Sequence, residues 1–126
     1  MPLYFANPAA TCAPRRTEIE RAIAEVIGGE RYILGPQVAA FEASFSSYCD
    51  TAHAVGVGSG TDALSLALLA ADVGPGDEVI TVSHTAVATA AAIARIGAVP
   101  VFVDTDFKSY TMDPGGLAAA LSPKTK

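Results

Sequence analysis

The chain has 126 residues, of which 51% are hydrophobic and 17% are charged. This length suits one ordinary domain and excludes several domains. Its net charge is -5, and its eight basic residues are scattered along the chain rather than clustered, which argues against nucleic acid as a partner.

Residues 1–14 carry three prolines and no periodicity, and this pattern predicts an irregular N-terminal arm. The segment lacks the basic region, apolar run and small-residue cleavage site of a secretory signal. The longest apolar stretch of the whole chain is too short to span a bilayer. We therefore expect a cytoplasmic protein.

Two cysteines, Cys12 and Cys49, stand far apart and lack the C-x-x-C spacing. The sequence therefore gives no support for a disulfide framework or a zinc site. We expect both thiols to be small, buried side chains.

Two helices are predicted before residue 50. Apolar residues recur at helical spacing from Thr17 to Ile27, and Gly28 and Gly29 end the pattern. A turn over 32–36 precedes a second helix that closes near Tyr48. Its stripe includes Phe41 and Phe45, which we expect to pack in the core.

From residue 52 short apolar runs, over 54–57, 78–82 and 99–103, alternate with helical patterns over 60–71 and 85–95. This alternation predicts an α/β fold with a parallel sheet and crossover helices, whose ligands bind beyond the carboxyl ends of the strands. A last helix is predicted from Asp113-Pro114 to Ser122-Pro123, and another strand is expected where the chain reaches Lys126.

The most informative stretch is the glycine-rich turn Gly58-Ser59-Gly60-Thr61-Asp62, which leads from the first apolar run into a helix. Its glycines allow close backbone approach, the free N–H groups at the helix start form an anion site, and Ser59 and Thr61 add hydroxyl groups. The alternative is a capping box, because Ser59 and Asp62 match its spacing. The two interpretations are compatible, since a cap uses only some of the four free donors.

The same turn also matches the dinucleotide fingerprint G-x-G-x-x-A. That fingerprint requires an acidic residue at the end of the following strand to bind the ribose, and here the strand ends in Val82-Ser83-His84. A dinucleotide-binding oxidoreductase is therefore the more distant hypothesis.

Polar side chains follow the second and third predicted strands. His84 lies on the expected ligand edge, so it either faces a bound ligand or caps the next helix. Asp104 and Asp106 form a D-x-D pattern that suits metal-dependent phosphoryl transfer. Because the next residues, 107–109, lack the glycine of such loops, we expect the two carboxylates to support a turn instead.

An ordered series of motifs resembles the DegT/DnrJ/EryC1/StrS sugar aminotransferases, which are pyridoxal-phosphate (PLP) enzymes of fold type I. The resemblance covers about residues 15–126. The matching segments are 33–36 with Phe41-Glu42, 58–64, 76–80, 85–89, 97–104 and 122–126.

The resemblance implies roles for the glycine-rich turn and the loop after the second strand. Ser59, Gly60 and Thr61 would hold the phosphate of PLP. The family commonly has an aromatic residue two positions after His84 to cover the pyridine ring, but this chain has Ala86, so either His84 makes that contact or another group covers the ring. The resemblance further implies a homodimer and amino transfer from an amino acid such as glutamate to a nucleotide-linked keto-sugar.

The Schiff-base lysine of the family and the acid that pairs with the pyridine nitrogen both lie beyond the matched region, and no lysine of this chain fits that motif. No catalytic residue and no metal site is therefore predicted. We expect residues 15–126 to be the N-terminal portion of the PLP-binding large domain of fold type I, inactive by itself. The alternative is a non-catalytic remnant or interaction module of the same family.

Overall fold

In the computed structural model, which describes residues 5–126, the chain divides after Gly56 into two compact units. From residue 5 onward the first unit is helical. It contains α1 (Pro8–Cys12), a turn of 3-10 helix (Ala13–Arg15), α2 (Arg16–Ile27) and α3 (Pro36–Tyr48).

The predicted irregular arm over residues 1–14 is wrong from Pro8 onward. Asn7 caps α1, because its side-chain oxygen accepts a hydrogen bond from the Ala10 N–H at 3.2 Å. Pro8 stands in the first turn, where no backbone N–H is needed. Proline therefore starts a helix here, while residues 1–4 lie outside the described part of the chain.

Both predicted N-terminal helices are confirmed. α2 starts at Arg16, one residue before the predicted Thr17, and ends at Ile27, where Gly28 follows. Two exposed ion pairs, each four residues apart, lie along α2: Arg16–Glu20 at 2.7 Å and Arg21–Glu25 at 3.1 Å. Among residues 5–126, no helix combines the length and apolar character that crossing a membrane requires.

The second unit has the predicted α/β arrangement. It contains α4 (Gly60–Ala70), β1 (Glu78–Val82), α5 (Val87–Arg95), β2 (Val99–Val103) and α6 (Pro114–Ala120). β1 and β2 pair in parallel, with Glu78 opposite Val99 and Val82 opposite Val103. α5 is the crossover connection between them, as the alternation of patterns predicts.

Residues 54–57 were predicted as a strand and do not form one. A strand is defined by its ladder of hydrogen bonds to a neighbour, and within residues 5–126 no strand pairs with this stretch. Its apolar pattern suits a strand, but pattern alone does not supply the partner.

The strand expected at the last residues is present as a single parallel bridge between Glu78 and Thr125. The Glu78 N–H donates to the Lys124 carbonyl at 2.8 Å, and the Lys126 N–H donates to the Glu78 carbonyl at 3.0 Å. This bridge lies on the edge of β1 away from β2. β1 is therefore flanked on both sides at its start, and β2 is an outer edge in the described chain.

The core of the second unit is formed where α4 and α5 pack near the sheet. Ala92 and Ile93 of α5 are 0% and 2% exposed, and the Ser65 hydroxyl of α4 donates to the Ala92 carbonyl at 3.3 Å. The small side chains of α5 allow this close approach. The surrounding apolar residues are Leu68, Val73, Val79, Ile96 and Ala98.

The expected burial of the two thiols is wrong, because Cys12 and Cys49 are both exposed. Helices α1, α2 and α3 bury none of their side chains completely, so these cysteines have no interior to enter. Phe41 and Phe45 stack on each other with ring centroids 5.6 Å apart, but they remain 61% and 47% exposed instead of forming a core.

Candidate functional site

Ser59 caps the helix that follows the glycine-rich turn. Its backbone is extended (φ -161°, ψ 163°), and its Oγ accepts a hydrogen bond from the Asp62 N–H at 3.1 Å. The same hydroxyl donates to Asp62 Oδ2 at 2.9 Å. Ser59 and Asp62 are thus joined as the capping interpretation predicts, although the carboxylate receives the hydroxyl rather than the backbone N–H of Ser59.

Asp62 is held by a second donor from α5. Arg95 Nη1 donates to Asp62 Oδ1 at 2.7 Å. The Ser59 hydroxyl and, after it, the Arg95 guanidinium lower the pKa of the Asp62 carboxyl below its ordinary value. Asp62 therefore stays ionised, with each of its oxygens bonded to a donor of the same unit.

The cap leaves part of the helix start free. Within residues 5–126, the N–H groups of Gly60 and Thr61 have no protein acceptor, and neither has the Thr61 hydroxyl. Such free N–H groups at the start of an 11-residue helix carry the positive end of its dipole. They are suited to bind an anion.

Space beside these donors is open. A Cβ added to Gly60 would meet no heavy atom within 4 Å, and Gly60 does not have a positive φ. Glycine at this position is therefore required neither by the backbone conformation nor by packing within the described chain. Its small size instead leaves room next to the free N–H groups, which is what a bound phosphate group needs.

The structure places His84 in the loop between β1 and α5, where it is exposed. The centroid of its ring lies 6.3 Å from that of the Tyr110 ring, and the two rings are tilted by 42°. The Phe107 ring centroid also lies 6.3 Å from that of Tyr110. Among the described residues no hydrogen bond joins His84 to Ser59, Gly60 or Thr61. The three turn residues are brought together, and His84 is grouped with aromatic residues that the sequence did not single out.

Tyr110 and Phe107 belong to the loop after β2, and Asp106 organises that loop. Asp106 Oδ1 accepts hydrogen bonds from the Ser109 N–H at 2.8 Å, the Ser109 hydroxyl at 2.9 Å and the Lys108 N–H at 3.1 Å. The bonds from Ser109, and after them the bond from Lys108, lower the pKa of Asp106. The carboxylate therefore supports a turn, as expected. Aromatic residues next to this D-x-D turn are the signal that sequence reasoning missed.

A surface pocket of about 630 Å³ lies along α4 and the end of α5. The Asp62–Arg95 pair forms its polar side, and Leu66 and Leu69 form part of its apolar side. Ser59, Gly60 and Thr61 do not line it. The pocket is therefore distinct from the open space next to the free N–H groups.

The sequence of this chain is similar to those of known aminotransferase-family proteins. The model of the DegT/DnrJ/EryC1/StrS aminotransferase family matches residues 14–126. The chain is 49% identical over 111 residues to dTDP-3-amino-3,4,6-trideoxy-alpha-D-glucose transaminase of Streptomyces venezuelae, covering 88% of this chain and 29% of that one. It is 47% identical over 125 residues to the erythromycin biosynthesis sensory transduction protein EryC1 of Saccharopolyspora erythraea, covering 99% of this chain and 34% of the relative.

The fold of this chain is also similar to that of solved structures. The S. venezuelae DesV structure in complex with a ketimine intermediate superposes with a TM-score of 0.94 at 45% identity, covering 98% of this chain and 33% of that one. NtdA from Bacillus subtilis with bound cofactor PMP (pyridoxamine phosphate) gives a TM-score of 0.86 at 33% identity, over 90% of this chain and 26% of NtdA. The chain spans about a third of the length of the curated relatives that it matches. It belongs to the DegT/DnrJ/EryC1/StrS aminotransferase family.

Proposed function

We propose that this chain is the N-terminal, phosphate-binding part of a PLP-dependent aminotransferase that transfers an amino group from an amino acid such as glutamate to a nucleotide-linked keto-sugar. The observation that carries the proposal is the pair of free N–H groups at Gly60 and Thr61 beside open space. Family membership supports it, and so does the PMP named with the similar NtdA structure.

The residues present fit the phosphate of PLP. The Gly60 and Thr61 N–H groups and the Thr61 hydroxyl are the donors, and Ser59 contributes by holding the helix start in its capped form. When bound, the pyridoxal group supplies the electron sink for the carbon that gains or loses the amino group. The task of these three residues is to bind and orient its phosphate end.

His84 is the second part of the proposed cofactor site. Its imidazole is exposed at the end of β1, and Tyr110 borders it on one side. Ala86, where the family commonly has an aromatic residue, is too small to cover a ring. We assign His84 to the pyridine ring of the cofactor on these grounds.

The names of the relatives support the proposed substrate class. The S. venezuelae transaminase is named for a dTDP-linked sugar, and a relative from Acidithiobacillus ferrooxidans, 48% identical over 114 residues, is named for a UDP-linked one. We propose a nucleotide-linked keto-sugar as acceptor, with the enzyme acting as a cytoplasmic homodimer. The exposed apolar side chains of α2 and α3, such as Ile23 at 53% and Phe41 at 61%, are surfaces that a second copy or further chain can cover.

A non-catalytic interaction module is the second candidate. It is favoured by the name of the relative EryC1, a sensory transduction protein. Both candidates retain the family fold, so the fold does not separate them. They differ in whether a reacting lysine accompanies this chain.

Reading the gene beyond codon 126 and assaying its product tests the proposal. An open frame that encodes the family lysine, together with conversion of glutamate to 2-oxoglutarate that depends on a keto-sugar nucleotide, is the expected result. A stop codon at this point, with binding of a protein partner but no amino transfer in any preparation, favours the interaction module instead.

A further inference from the structure

Arg95, the last residue of α5, is tied to the first turn of α4. Its Nη1 lies 2.7 Å from Asp62 Oδ1, although the two residues stand 33 positions apart. Asp62 is the only charged residue of α4, and Arg95 is the only charged residue of α5. On these two helices, Arg95 is therefore the only residue that compensates the charge of Asp62.

Asp62 creates an electrostatic conflict at the proposed phosphate site. A carboxylate in the first turn suits the helix dipole, but it repels a dianion that approaches the same turn. In the structure Oδ2 receives the Ser59 hydroxyl and Oδ1 receives the Arg95 guanidinium. Both carboxylate oxygens thus accept a hydrogen bond, and Oδ1 accepts it from a cation.

We propose that Arg95 is a positioning residue for the cofactor phosphate. It offsets the charge of Asp62 and holds that carboxylate against Ser59, which leaves the Gly60 and Thr61 N–H groups available to the phosphate. Arg95 acts through Asp62 and does not itself contact the phosphate. This inference rests on the proposed function.

Stability alone does not account for the pair. The Arg95 side chain is 64% exposed, and exposed ion pairs contribute little to the stability of a fold. The Ser65 hydroxyl bond to the Ala92 carbonyl and the apolar core already join α4 to α5. If the Arg95 side chain contributed only packing, the charge of Asp62 would not influence the effect of losing Arg95.

Equilibrium dialysis of PMP against the full-length gene product that contains these 126 residues tests the inference, because it counts bound ligand whatever the association state of the protein. Arg95→Met keeps the length of the stem and removes the charge, and we expect it to weaken binding about three- to tenfold. Arg95→Lys should stay within about twofold of the unmodified protein. Adding Asp62→Asn to Arg95→Met should restore binding, since the uncompensated charge is then gone.

Thr61→Ala serves as the reference for the site itself. Unchanged affinity in Arg95→Met, or a double variant as weak as Arg95→Met, overturns the role of Arg95 while a weakened Thr61→Ala keeps the phosphate site in place. No effect of Thr61→Ala, or no PMP binding by the unmodified full-length protein, overturns the site and this inference with it. If Arg95→Met does not fold, Asp62→Asn alone decides: equal or tighter binding supports the inference, and weaker binding overturns it.

Discussion

Glu42 Oε1 accepts a hydrogen bond from the backbone N–H of Gly56 at 2.7 Å, so a carboxylate of α3 holds the backbone of the stretch 54–57 at Gly56. A Cβ at Gly56 would lie 3.4 Å from the same oxygen, which is ordinary contact distance. This bond supplies to the stretch one of the backbone interactions that the absent strand ladder would otherwise provide.

Glu42→Ala should therefore expose the Gly56 amide. We expect the free energy of unfolding of the first unit to fall by about 1 kcal/mol, because a hydrogen bond to a partly exposed charged group contributes about that much. Hydrogen exchange of the Gly56 amide measures the effect at the site. Glu42→Gln retains an acceptor oxygen and should keep most of the protection. Equal exchange rates in all three proteins would contradict this role.

The Ser59–Asp62–Arg95 arrangement predicts a pH response. Because the folded pKa of Asp62 is lowered, the stabilisation from its bonds is present above the ordinary aspartate pKa of about 3.9 and is lost as pH falls through the lower folded value. Carbon-detected NMR titration of the Asp62 carboxyl reports that pKa. Ser59→Ala should raise it more than Arg95→Met does, since the Ser59 bond is the larger cause. The reverse order would contradict the assignment.

Local signals in the sequence were sufficient to predict most of the second unit. The repeat of apolar residues predicts α5, β1 and β2, and the spacing of Ser59 and Asp62 predicts the cap, since each depends on neighbours within a few residues. Asn7 followed by Pro8 also carries a local helix-start signal, which the prediction of an irregular arm overlooked.

The features that sequence did not predict join distant positions. Arg95 and Asp62 are 33 residues apart, and His84 meets Tyr110 only because the loops after β1 and β2 leave neighbouring strands. Within the described part of the chain, residues 54–57 do not form a strand because no strand pairs with them, and Cys12 and Cys49 are exposed because no other surface covers them. The periodicity of one segment does not predict which other segments pair with it or cover it.

Lysine labelling is expected to be unspecific. Lys124 and Lys108 are exposed, while Lys126 Nζ donates to the Asp72 carbonyl at 2.9 Å, and no lysine fits the family motif. Treatment of the 126-residue chain with pyridoxal phosphate and borohydride should spread label over several lysines. Peptide mass spectrometry reads the distribution, with pyridoxal as the control without phosphate. Stoichiometric labelling of Lys108 alone would show that the reacting lysine has been misplaced.

The isolated chain is expected to associate. β2 presents an unpaired edge in the described chain, and Phe102 and Val99 on it are 54% and 49% exposed. A few hundred Å² of exposed apolar surface costs several kcal/mol at about 25 cal/mol per Å², which is comparable with the roughly 5–15 kcal/mol total stability of a domain.

Size-exclusion chromatography with light scattering measures this association. Phe102→Lys should shift the chain toward smaller species, whereas Phe107→Lys, in the loop after β2, should not. A sharp monomer peak with a cooperative thermal transition in the unmodified chain would show that its exposed surfaces need no partner.

A matched pair of glycine variants tests whether the turn Ser59-Gly60-Thr61 holds the phosphate of PLP. A Cβ at Gly60 or at Gly74 meets no heavy atom within 4 Å, so both Gly60→Val and Gly74→Val should leave the fold intact. Equilibrium dialysis should show that the unmodified full-length protein and its Gly74→Val variant bind PMP in preference to pyridoxamine, which lacks the phosphate. Gly60→Val fills the space beside the free N–H groups, and Thr61→Ala removes the hydroxyl donor. Both should bind PMP about ten- to a hundredfold more weakly, the range expected when hydrogen bonds to a charged group are lost. Equal binding of PMP by all four proteins, or equal binding of PMP and pyridoxamine by the unmodified protein, would contradict this role of the turn.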